Sequence, residues 1–146
     1  MKTLITGANG FVGRALRSQL AQAGAGVVAV TRRAEGEGGV AVGDISPTTD
    51  WRVALAGVDV VVHLAARVHV MHDAAADPLA AFRAVNAEGT LNLALQAAAA
   101  GVQRLVYLSS VKVNGEGRDT PYTEADPAAP QDAYAVSKWE AEQALT

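Results

Sequence analysis

Eight residues near the start, Thr6-Gly7-Ala8-Asn9-Gly10-Phe11-Val12-Gly13, constrain this chain more than any others. They set three glycines at a spacing of three between a short apolar strand, Leu4-Ile5-Thr6, and an amphipathic helix over Gly13 to Gly24. Leu16 and Leu20 stand four apart on that helix, and Gly24 and Gly26 close it. Gly7 permits a tight turn, and Gly10 removes a side chain where backbone must approach a pyrophosphate. Gly13 lets helix and strand pack closely, and the N–H groups at the helix start face the phosphates. A glycine triplet is weak evidence alone, but strand before and helix after are the context a dinucleotide turn requires.

The rest of the chain continues the alternation. Apolar strands are expected at Val27–Val30, Val40–Val42, Val58–Leu64 and Arg104–Ser109. Helices are expected at Trp51–Ala56, Ala80–Ala100 and Tyr134–Leu145, with loops over Glu35–Gly39 and residues 114 to 133. Val85, Leu91, Leu93 and Leu95 are read as the apolar side of the long helix. Strands alternating with crossover helices give an α/β fold, a Rossmann-type doubly wound parallel sheet, with residues 1–146 forming one NAD(P)-binding domain. A net charge of −3 argues against a non-specific nucleic-acid or anionic-membrane binder. The absence of cysteine removes disulfides, thiolate chemistry and Cys-based metal sites. No apolar run approaches the roughly 20 residues of a membrane span, so a cytoplasmic protein is expected.

The cofactor type is ambiguous. An acid at the end of the second strand is the usual partner of the ribose 2′-hydroxyl in NAD, but Thr31-Arg32-Arg33 stands there. Two guanidinium groups suit the 2′-phosphate of NADP, and they equally read as solvated loop charges. Asp44, after the third strand, is either an acceptor for the adenine amino group or a cap for the following turn.

Tyr134 and Lys138 lie four apart on one helix face. A tyrosine ionises near 10 and is a poor base at neutral pH, and a lysine ammonium beside it favours the phenolate. Ser109-Ser110 close the fifth strand, where doubly wound folds place ligand-contacting groups. Each signal has a bland reading; together they point to proton transfer beside a bound cofactor.

The glycine turn, His63-Leu64-Ala65-Ala66, Asn86 with Gly89-Thr90, Ser110, and Tyr134-Ala135-Val136-Ser137-Lys138 occur in the order found in the extended short-chain dehydrogenases. The whole chain resembles the NAD-dependent epimerase/dehydratase family, on its UDP-glucose 4-epimerase-like side. The resemblance implies that Phe11 and Val12 cover the pyrophosphate and that Asp44-Ile45 line the adenine pocket. Leu64, Ala65, Ala66 and Arg67 would follow the ribose–phosphate path, with Asn86 contacting or ordering the nicotinamide side. Ser110 and Tyr134 would handle a substrate hydroxyl, with Lys138 on the ribose. It implies NAD or NADP as cofactor, a nucleotide sugar such as a UDP-hexose as substrate, and 4-epimerisation as the reaction. Reduction of a 4-keto-6-deoxy sugar, or non-catalytic NAD(P) sensing on the same fold, are the alternatives. Sensors typically lose the Tyr-x-x-x-Lys pair, which Tyr134 and Lys138 retain. Dehydration needs an acid pair beside the serine, and Val111-Lys112 stand there instead.

Family members continue into further strands and a smaller sugar-binding domain, so turnover by a chain ending at Thr146 is not expected. The alanine-rich faces of the two long helices are either core or a two-fold dimer surface. His63 is read as a buried, hydrogen-bonded ring, and His69 and His72 as loop residues without a carboxylate cage, so no metal is expected. Asp73 and Asp77 are read as helix-start and loop polar groups, Trp51 and Trp139 as packing.

Overall fold

β-Branched and apolar runs produce a five-stranded, all-parallel sheet in the order β3-β2-β1-β4-β5. A computed structural model describes residues 1–33, 39–68 and 76–146. The strands are β1 (Lys2–Thr6), β2 (Gly26–Thr31), β3 (Gly39–Ala41), β4 (Val60–His63) and β5 (Arg104–Tyr107). The helices are α1 (Phe11–Gln22), α2 (Arg52–Leu55), α3 (Pro78–Arg83), α4 (Gly89–Ala99) and α5 (Ala133–Ala144). A π-turn at Ala84–Glu88 joins α3 to α4, and a 3₁₀ turn at Val111–Val113 follows β5.

Because side chains alternate along a strand, the register sorts them onto two faces. Leu4 pairs with Val28 and Val61, and these meet Trp51, Leu55, Leu93 and Ala97 in the larger core. Ile5 pairs with Ala29 and Val62 on the opposite face, covered by Leu16 and Leu20 of α1. Helices on both faces explain why the strands read as continuous apolar runs. Trp51 is fully buried, as its packing role anticipated.

Three expectations are corrected. The long helix is not one α-helix, because the π-turn interrupts it. Its leucines do not share a side: Leu93 is buried while Leu91 and Leu95 are exposed, since residues two apart on a helix point about 200° apart. Ser109 and Ser110 lie beyond the end of β5, and Ser110 caps the 3₁₀ turn by accepting from the Lys112 amide at 3.3 Å. Gly39 belongs to β3, and the rest of the expected loop over Glu35–Gly39 lies outside the described residues, as do His69, His72 and Asp73. Asp77 caps α3 by accepting from the Ala80 amide at 3.0 Å. No helix among the described residues is long and apolar enough to cross a membrane.

Candidate active site

Thr6 ends β1, and its hydroxyl organises the loops at the carboxyl edge of the sheet. Its Oγ1 accepts from the amides of Leu64 and Ala65, both at 3.1 Å. With both lone pairs used, the hydroxyl proton goes to His63 Nδ1 at 2.6 Å. The imidazole proton therefore sits on Nε2, which donates to Thr90 Oγ1 at 2.9 Å. Burial, aided by the Lys138 charge, pushes His63 down to about 3, so the ring stays neutral at ordinary pH. The expected buried, hydrogen-bonded histidine is thus a tie between β1, β4 and α4.

This tie holds Ala65 against the glycine turn. Gly7 has φ +65°, and a Cβ there would lie 2.9 Å from the Ala65 amide nitrogen. A Cβ on Gly13 would lie 2.2 Å from the Gly7 carbonyl oxygen, so helix and turn are in direct contact there. On exposed Gly10 it would meet only that oxygen, at 3.2 Å, leaving backbone open to the outside. No side chain caps α1 and no acid lies in its first turn, which suits an anion at its N-terminus.

A cleft of about 1280 Å³ opens over the ends of β1 to β4. Gly7, Gly10, Arg32, Asp44, Ile45, Leu64, Ala65 and Ala66 are among the residues that line it. Arg33 and Arg67 add positive charge, and Arg32 Nη1 stands 3.8 Å from Asp44 Oδ1 with both side chains exposed. Phe11 and Val12 are exposed on the first turn of α1, outside the cleft lining, and Gly13 is buried in packing. Sequence reasoning missed the apolar walls, Val30, Val42, Val68 and Val85. For Val30 and Val42 the signal was available, since both lie at the carboxyl ends of strands. Glycines a Cβ would obstruct, an uncapped helix start and a cationic rim fit a dinucleotide.

Ser110, Tyr134 and Lys138 lie outside that lining, on the turn after β5 and on α5. Asp132 caps the start of α5, its Oδ1 accepting from the Ala135 amide at 2.6 Å. Lys112 Nζ binds Asp132 Oδ2 and also Glu116 Oε1 at 3.1 Å, so the serine turn is fastened to the start of α5. Hydrogen bonds from Lys112 to Asp132 and then Glu116 hold its ammonium above the usual lysine range. Lys138 is 2% exposed, and its Nζ donates to the Leu108 carbonyl at 2.6 Å, two residues before Ser110. Burial pushes this lysine down to about 8, with Glu142 opposing. Tyr134, one turn before it, is half-buried and meets Phe82 edge-on at 6.3 Å.

Asn86, in the π-turn, joins the two halves of the site. Its Oδ1 accepts from the Arg67 amide at 2.8 Å, and its Nδ2 donates to the Arg67 carbonyl at 3.0 Å and to Ser137 Oγ at 2.9 Å. Ser137 in turn donates to the Tyr134 carbonyl at 2.7 Å. Expected to contact or order the nicotinamide side, Asn86 here ties the backbone of Arg67 to Ser137. Among the described residues no group of three or more His, Asp or Glu is placed to hold a metal.

A profile of the NAD dependent epimerase/dehydratase family matches residues 3–146. The chain is 45% identical over 148 residues to a UDP-glucose 4-epimerase of Vibrio cholerae, covering 97% of this chain and 45% of that one. It is 38% identical over 145 residues to a dTDP-4-dehydrorhamnose reductase of Mycolicibacterium smegmatis, covering 99% and 41%. The fold is similar to that of MoeE5 in complex with UDP-glucuronic acid and NAD, with a TM-score of 0.84 at 31% identity, covering 99% of this chain and 48% of that one. The chain spans under half the length of both relatives.

Proposed function

The chain belongs to the NAD dependent epimerase/dehydratase family, and on that premise we propose that residues 1–146 form the cofactor-binding unit of a cytoplasmic nucleotide-sugar 4-epimerase. Its dinucleotide is NAD, held on the Gly7–Gly13 turn, with Asp44 and Ile45 toward the adenine. MoeE5, of the same fold, is described with NAD and a UDP-sugar, which supports both ligands here. A bound nicotinamide supplies reversible hydride acceptance at the sugar carbon.

The protein's own part is proton handling, and the buried Lys138 ammonium one turn from Tyr134 is the observation that carries this reading. Tyr134, four residues before Lys138 on the same helix, takes the proton of the sugar hydroxyl and later returns it. Ser110 orients that hydroxyl from the opposite side. Lys112, fastened to Asp132 and Glu116, offers no acid for elimination of water, which favours epimerisation over dehydration. In the assembled enzyme two copies meet through α4 and α5.

The test is Tyr134→Phe in the whole protein, assayed on UDP-hexoses with NADH and NADPH titrated by fluorescence. Loss of conversion by at least about 100-fold with cofactor affinity kept is expected. Unchanged conversion would sink the acid–base assignment. Conversion of a 4-keto sugar alone, consuming reduced cofactor, would replace the epimerase reading with the reductase one. Tighter NADPH than NADH binding would transfer the cofactor to NADP and give Arg32 and Arg33 the 2′-phosphate.

A further inference from the structure

We propose that Tyr107 is the positioning residue of the site lysine: the face of its ring, with the Leu108 carbonyl, holds the Lys138 ammonium in place as a buried cation. This rests on the proton-handling reading of Tyr134 and Lys138. Lys138 Nζ stands 4.0 Å from the Tyr107 ring centroid and donates to one carbonyl, at 2.6 Å. Neither contact is with a carboxylate, so the ring's negative face joins the field of Glu142 in balancing the charge.

The tyrosine hydroxyl is not what the site uses. It is buried and has no hydrogen-bond partner among the described residues. Burial also pushes the Tyr107 phenol above its ordinary value, so it remains neutral. An aromatic face is therefore the group's contribution to the lysine. The ring also packs against His63 in a tilted arrangement, at 5.8 Å and 30° between planes. Thr6 and Thr90 fix His63 as a neutral tautomer, so no second cation stands beside the lysine. The titratable groups facing Lys138 are thus His63 from β4, Tyr107 from β5, and Tyr134 and Glu142 from α5.

The sign of the effect follows. Burial disfavours the ammonium, whereas the ring face and Glu142 favour it. Removing the ring face should therefore lower the titration midpoint of Lys138 further and bring part of the lysine into its neutral form near pH 7. The probe is ¹³Cε-lysine NMR on the 146-residue chain, with Lys138 identified by its loss in Lys138→Arg. Tyr107→Phe should titrate like the parent. Tyr107→Leu should fall by roughly one unit. A ring-fluorinated phenylalanine at 107 keeps the shape but depletes the face, and should fall likewise even if the leucine variant does not fold.

A fluorinated variant with the parent midpoint overturns the proposal, and so does a Tyr107→Phe shift as large as that of Tyr107→Leu. The outcome is separable from the acid–base reading. Conversion surviving Tyr134→Phe would defeat that reading without moving the Lys138 midpoint dependence on residue 107.

Discussion

At the scale of single residues, His63 shows how a ring can be made structural by fixing its proton. Thr6 donates to Nδ1 and Nε2–H donates to Thr90, so a second ring proton has no acceptor and would be buried as charge. The folded chain holds His63 unprotonated down to about 3, whereas the unfolded chain binds a proton below about 6.5. Between those values the unfolded state carries the extra proton, so the His63 contribution to stability is full above about pH 6.5 and declines as pH falls. The slope expected is about 1.4 kcal/mol per pH unit. Asp50 and Asp126, each lowered to about 2 by arginine hydrogen bonds, titrate below the first part of that window. Urea unfolding at pH 7 and pH 5 should therefore show a loss of about 2 kcal/mol in the parent. In His63→Asn, less stable at pH 7, that pH-dependent loss should be nearly absent. Equal pH slopes in the two proteins would refute the assignment.

Elements differ in how much of them the residues announce. The turn over Gly7, Gly10 and Gly13 was legible because of its spacing between strand and helix, and Gly7 and Gly13 each meet a steric demand that other residues fail. The parallel sheet was legible because its strands are apolar on both faces. The π-turn at Ala84–Glu88 was not, since one extra residue in a helical turn leaves no periodic mark in an alanine-rich stretch. Its purpose is visible only in space: Asn86 is turned inward, where its amide holds both the Arg67 backbone groups and Ser137. The Lys112 clamp on the start of α5 was illegible for another reason: its partner Asp132 lies 20 residues away. Asn86→Ala would strip partners from the Arg67 amide and carbonyl and from Ser137. At about 1–3 kcal/mol per orphaned group, partly relieved by water, a loss of about 3 kcal/mol is expected. Hydrogen exchange at the Arg67 amide should quicken well beyond that global change, because the loop after β4 loses its anchor. An Arg67 amide as protected as in the parent would show that the turn does not order this loop.

Across the whole molecule, burial is uneven in a way that bears on assembly. The inner face of α4 gives Leu93 and Ala97 to the core, while its outer face leaves Leu91 38% and Leu95 62% exposed. A second apolar strip lies at the sheet edge, where Val106 is 45% and Leu108 46% exposed on and after β5. Exposed strips of this kind invite contact with another surface. The two strips make opposite forecasts. A two-fold helix contact closes on itself and gives a discrete dimer, whereas edge pairing of parallel strands need not close. The proposed contact through α4 and α5 therefore requires sedimentation at twice the 15.0 kDa chain mass, with no larger species growing in at higher concentration. Leu95→Lys should weaken that dimer by at least about tenfold, since a charge would be buried at the contact without a partner. Val106→Lys, on the other strip, should leave the dimer intact. If Val106→Lys dissociates the assembly and Leu95→Lys does not, copies meet at the sheet edge and the outer face of α4 is simply solvated.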